Sequence, residues 1–168
     1  MRRSRYVPLA LTFLVAVAAA GCDGAPAAAP EYSRIGDVEL LAACAPAAEQ
    51  TVTVTAGTAG AHLTGAGIEL AIPAGALAGP TQFEVRVPAS TYAEVEIRAN
   101  GQDHFQFLLP VVISIGYDRC GTPSGQLSAW HIDPETKVLL ENMGGVHDEV
   151  NRRVTFSTMH LSGYAIAN

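Results

Sequence analysis

The chain is poor in charge and in aromatics: 15% of its 168 residues are charged and 7% are aromatic, with a single tryptophan. So little charge excludes a disordered polyelectrolyte, and 49% apolar residues suffice for one domain with a buried core. Cysteine is scarce as well, three in all, with no Cys-x-x-Cys pair of the zinc-binding kind. There is no Asp-x-Asp-x-Asp-Gly loop for calcium and no Gly-x-Ser-x-Gly nucleophile motif. The leading apolar run, Val7–Ala20, is shorter than the ~20 residues that span a bilayer. Basic residues thin out quickly, since Arg2, Arg3 and Arg5 are three of the ten. Without residues 1–21 the balance is 7 − 16 = −9, and a chain that acidic repels phosphate backbones. Nucleic acid is not an expected partner.

What is present begins with an export signal. Met1 to Arg5 is a positive n-region, and Leu9 to Ala20 is a short apolar h-region ending in small residues. Ala19-Ala20-Gly21-Cys22 resembles the lipobox of bacterial lipoproteins, with cleavage before a diacylglycerol-modified Cys22. Two or three acyl chains at ~0.8 kcal/mol per buried methylene give stable anchoring where one does not. The resemblance implies a lipid-anchored protein of a bacterial cell envelope, extracytoplasmic or periplasmic. Asp23 resembles an inner-membrane retention signal. Gly24 to Pro30 is rich in Ala and Pro and uncharged, the composition of a semi-extended tether. The expected organisation is a signal peptide over 1–21, lipidated Cys22 with a tether to 34, a lead-in over 35–54 and a domain over 55–168. The lead-in is open to strand or short helix between Val38 and Ala48.

From about residue 50 the apolar period is two rather than 3.6. Thr51 to Thr55 alternates Thr and Val; Phe83, Val85 and Val87 share one face; Val111, Ile113 and Ile115 share another. Val154 and Phe156 alternate with Arg153, Thr155 and Ser157, and residues 161–167 close the chain. Turn residues separate these runs at Gly65-Ala66-Gly67, Pro73 to Pro80, Asn100-Gly101, Gly121 to Gly125 and Asp133-Pro134. The pattern predicts an all-β, antiparallel β-sandwich, each sheet with one face to the core and one to water. Ala74 to Leu77 is expected to form one helical turn. By alternation Glu94 and Glu96 lie on a solvated strand face, and Trp130 is expected to fill the core.

Gly67-Ile68-Glu69-Leu70-Ala71-Ile72-Pro73-Ala74-Gly75-Ala76-Leu77 resembles the strand-and-turn signature of the ZU-five domain of zonula occludens proteins, netrin receptors and ankyrins. Further stretches follow in the same order: Phe107 to Ile113, Leu127 to Ile132 and Phe156 to Ala167. The resemblance covers roughly residues 55–167. It implies a ZU-five-like sandwich used for protein–protein contact, with no cofactor. Within the signature, Pro73 should end a strand because it cannot donate to the ladder, and Gly75 should supply a positive φ.

His160-Leu161-Ser162 resembles the His-Phe-Ser at which some ZU-five relatives cut themselves, with Leu161 in place of Phe. There the Ser hydroxyl attacks the preceding carbonyl while a nearby His takes its proton. His160 and Ser162 are thus candidates for self-cleavage between Leu161 and Ser162; their structural alternative is to cap and pair within the last strand. The five histidines, His62, His104, His131, His147 and His160, show no close ligand pair, so no metal is expected; His131 and Asp133, two apart, come nearest. Cys44 and Cys120 remain once Cys22 is modified, an even pair that suggests a disulfide in an exported domain.

Together these features predict a membrane-anchored, non-catalytic module that contacts an unidentified envelope protein or serves a structural role. The alternatives are a self-processing domain and a carbohydrate- or wall-binding sandwich. The scarcity of aromatics weighs against the last.

Overall fold

A computed structural model of the chain describes residues 40–102, 104–123 and 125–168. The signal peptide, Cys22, the tether and the start of the lead-in lie outside the described residues. Eleven strands follow one another: β1 (Gln50–Ala56), β2 (Ala61–Gly65), β3 (Ile68–Ile72), β4 (Thr81–Val87), β5 (Glu94–Ala99) and β6 (Phe105–Gly116). Then come β7 (Ser128–Ile132), β8 (Leu139–Gly144), β9 (Val146–Asp148), β10 (Arg153–Leu161) and β11 (Gly163–Ala167). They form a six-stranded sheet, β1-β4-β5-β11-β7-β8, and a five-stranded sheet, β2-β3-β6-β10-β9. Every ladder between these strands is antiparallel. The all-β antiparallel sandwich expected from the period of two is the fold observed.

Alternation explains the core. Phe83, Val85 and Val87 of β4 turn inward with Val95 and Ile97, and across from them stand Leu70, Val111, Ile113, Ile115 and Phe156. Phe83 stacks on Phe107 at 5.8 Å between ring centroids, and Phe105 meets Phe107 edge-on at 5.1 Å. β3 ends at Ile72, the residue before Pro73, and Gly75 has φ +82°. That conformation cannot continue a helix; the Ala76 amide donates to the Pro73 carbonyl at 3.1 Å and closes a reverse turn, not the expected helical turn. The turn docks on β6, where the Leu108 amide donates to the Ala76 carbonyl at 3.0 Å. At this point β6 bulges. Gln106 faces His160 and Val111 faces Thr158, so Phe107, Leu108, Leu109 and Pro110 together oppose only Met159.

β1 begins at Gln50, so the sheet takes in the last residues of the expected lead-in. Between Leu41 and Cys44 the chain is neither a regular strand nor a helix. It is a strap, with isolated bridges from Leu41 to Ala167, Ala43 to Tyr92 and Cys44 to Cys120. Cys44 and Cys120 are joined by a disulfide, as expected. The Arg119 guanidinium locks the strap further by donating to the carbonyls of Ala45, Ser90 and Tyr92.

The strap builds a second, smaller core on the outside of the six-stranded sheet. Leu41, Ile132, Leu139, Ala165 and Ala167 are buried there, with Tyr92 and Trp130 packed against them. Two expectations are corrected by this layer. Trp130 does not fill the sandwich interior: it is half-buried on the outer face, because its in-register neighbour Ala165 points outward under the strap. Glu94 and Glu96 do not face solvent; they are 2% and 7% exposed. Their face is covered, and each carboxylate meets a cation, Glu94 with Lys137 at 2.6 Å and Glu96 with Arg86 at 2.9 Å.

Candidate functional site

β10 leaves the five-stranded sheet at Leu161, and β11 enters the six-stranded sheet at Gly163. Ser162 is the single residue of this crossing. The register of β11 with β7 sets Gly163 opposite Ile132 and Tyr164 opposite His131. His131 therefore comes up beside the crossing, and its Nε2 lies 2.8 Å from Ser162 Oγ. Gly163 is required for this close approach, since a Cβ there would stand 2.9 Å from Pro134 Cγ and 3.2 Å from the Ile132 carbonyl oxygen.

The expected partner of Ser162, His160, is occupied elsewhere. Its amide donates to Thr158 Oγ1 at 3.2 Å, and its Nδ1 lies 3.2 Å from the Tyr164 hydroxyl. Tyr164 Oη also donates to the His160 carbonyl at 2.5 Å, and Burial raises the Tyr164 hydroxyl to a pKa of about 12. The two histidine rings meet edge to face at 5.5 Å. Burial lowers the His131 pKa below its ordinary 6.5, and the nearby His160 adds to the effect. His131 is thus held neutral beside the Ser162 hydroxyl, the state a proton acceptor needs. Residue spacing pointed to His160 because it is close in sequence; pairing of β7 with β11 selects His131 instead.

Backbone contacts on both sides of the crossing are fixed. The His160 carbonyl accepts from Tyr164, and the Ser162 carbonyl accepts from the Ile97 amide at 3.1 Å. The pair opens onto a cavity of ≈ 490 Å³ whose lining includes Arg86, Glu96, Arg98 and His104. Chemically, a neutral imidazole on a hydroxyl can assist attack on an adjacent carbonyl. Attack on the Leu161 carbonyl would be eased by a distorted peptide, and no left-handed residue marks one at this crossing. The non-glycine residues with positive φ, Ala66, Asn100, Lys137 and Arg152, all lie elsewhere, and there is no cis peptide bond among the described residues.

His147 and His62 are apart from this site. His147 accepts the Leu127 amide at Nδ1, 3.2 Å, and its Nε2 meets the Tyr117 hydroxyl at 2.6 Å. His62 sits on β2 at the sheet edge. Asp133 caps its own turn by accepting the amides of Glu135 and Thr136 at 2.9 and 2.8 Å, which lowers its pKa. Among the described residues, no three His, Cys, Asp or Glu side chains converge as metal ligands would.

A second surface stands out on the bulge of β6. Leu108 is 61% exposed, Leu109 44% and Val112 39%. Large apolar side chains this exposed on one strand, beside the Pro73–Ala76 turn, are unusual on a face that water covers. Comparison with protein-family models finds no match to this chain, and comparison with curated proteins finds none either.

Proposed function

We propose that this chain is a lipid-anchored envelope protein whose β-sandwich is a non-catalytic module for contact with another protein. The observation that carries this reading is the apolar strip of Leu108, Leu109 and Val112, offered to solvent by the β6 bulge. Bulges re-aim side chains, and this one leaves Leu109 exposed beside Leu108, where alternation would have turned it inward. The lipobox-like residues Ala19 to Cys22 and the Ala/Pro tether support presentation at a membrane. The ZU-five-like signature at 67–77 agrees, since its turn forms one wall of the same strip. The net charge of the mature chain favours a partner with a basic rim.

The test is site-specific photo-cross-linking in intact cells at position 108, with an exposed control at position 136. A discrete adduct at 108, absent at 136 and lost when Leu109 is changed to Asp, is the expected result. Equal adducts at both positions would remove the strip from consideration. Fatty-acid labelling lost in Cys22→Ser is expected of the anchor.

One observation favours a second reading, self-processing at Leu161–Ser162: the 2.8 Å approach of His131 Nε2 to Ser162 Oγ. No positive-φ residue or cis peptide marks strain at the crossing, which favours the contact module over it. Because β11 lies between β5 and β7, a cut chain would stay assembled, so the mass must be read after denaturation. A full-length mass agrees with the contact module. A mass short by Ser162–Asn168 would replace it with self-processing.

A further inference from the structure

Four strands end the two sheets: β1 and β8 in one, β2 and β9 in the other. An open edge presents unpaired amides and carbonyls to any other chain, and proteins blunt such edges with shortness, charge, proline or bulges. Three of these edges are blunted. β9 has three residues, β8 carries Glu141 and breaks register twice against β7, and β2 is short and carries His62. β1 is different. Its seven residues, Gln50–Ala56, contain no charge, proline or glycine, and it pairs in unbroken register with β4 alone.

The side chains of β1 are also left unfinished. Val52 and Val54 face the same way as their neighbours Val85 and Phe83, which are fully buried, yet both valines remain half-exposed. Nothing among the described strands flanks them on the outer side. Thr51, Thr53 and Thr55 are exposed on the other face.

The stretch Thr51-Val52-Thr53-Val54-Thr55 reads the same in both directions about Thr53. A two-fold interface requires a surface complementary to itself, and an antiparallel strand pair centred on a palindrome meets that need. We propose that two copies of this chain join edge to edge through β1, antiparallel about a two-fold axis at Thr53. Their six-stranded sheets then run on into one. In this register Thr51 faces Thr55 of the second copy and Val52 faces its Val54. The valines complete their burial against each other, and the threonines form cross-strand pairs. Glu49, held by Arg86 at 2.6 Å, falls opposite Gly57, so no like charges are opposed. The pairing uses only this edge and stands whether or not Cys22 is lipidated.

The register makes the test specific. In full-length chain in detergent, Thr53→Cys places each new thiol beside its own symmetry mate. Thr51→Cys and Thr55→Cys are each far from theirs but near each other. With a short bismaleimide, Thr53→Cys should give several-fold more covalent dimer than wild type or either flanking variant alone. Mixing the two flanking variants should restore the yield. No gain for Thr53→Cys over wild type, or equal yields from all three single variants, would overturn the proposal. Light scattering on the unmodified chain gives a second readout that needs no substitution: two copies per particle are expected, and one copy at micromolar concentration would overturn it.

Discussion

His131 Nε2 and Ser162 Oγ lie 2.8 Å apart although 31 residues separate them, because β11 returns the chain to the six-stranded sheet beside β7. Burial holds the His131 pKa below its ordinary 6.5. The unfolded chain therefore binds this proton more readily than the folded one, so stability is full above about pH 6.5 and is lost as the pH falls through it. The unfolding free energy of wild type should drop from about pH 8 to about pH 5 more steeply than that of His131→Gln. Equal slopes in urea titrations at the two pH values would show that His131 titrates as freely in the fold as outside it.

Tyr164 ties the same corner from within. Its hydroxyl donates to the His160 carbonyl and lies 3.3 Å from Thr158 Oγ1, all inside the sandwich. Tyr164→Phe keeps the ring against Phe156 and removes one of two donors to the His160 carbonyl, which still accepts from Thr158 Oγ1 at 3.0 Å. The expected loss is about 0.5–1.5 kcal/mol in chemical denaturation, the net worth of one hydrogen bond when the acceptor keeps another partner. A loss well below that range would mean water replaces the hydroxyl.

Glu94 and Lys137 pair at 2.6 Å, and Glu94 Oε1 has no further partner. Removing the cation alone strands a buried carboxylate. Lys137→Met should cost on the order of 3 kcal/mol, whereas Lys137→Met with Glu94→Gln should recover much of that loss. The measurement is a double-mutant cycle by denaturant unfolding. Additive single losses would show that the two groups do not depend on each other.

These residues also mark how far the sequence could be read. The period of two placed Phe83, Val85 and Val87 inside and predicted both sheets, because alternation follows from strand geometry alone. The expectation that Trp130 fills the core rests on its size and not on alternation. Alternation assigns Glu94 and Glu96 to their face but cannot show that this outer face is covered. The strap that covers it, Leu41 to Cys44, has no periodicity, and only its disulfide was legible, from the even pair of cysteines. Sequence proximity points to His160, two residues from Ser162, whereas His131 becomes its partner only through strand register, a tertiary fact.

The strap rests on one covalent bond. Cys44 and Cys120 are 76 residues apart, and closing a loop of that length stabilises by up to about 4 kcal/mol in the chain-entropy account. The structure adds a local consequence, since the same strap covers Leu41, Ile132, Leu139, Ala165 and Ala167. A Cys44→Ser, Cys120→Ser chain should lose stability, and the loss should be uneven. Amide exchange should quicken first at Ala42 and Cys44, whose bonds to the Ile166 and Thr91 carbonyls hold the strap down. β3, β6 and β10, which lie in the other sheet, should keep their protection until global unfolding. Uniform loss of protection would instead make the strap part of a single cooperative unit, with the disulfide acting on the whole fold at once.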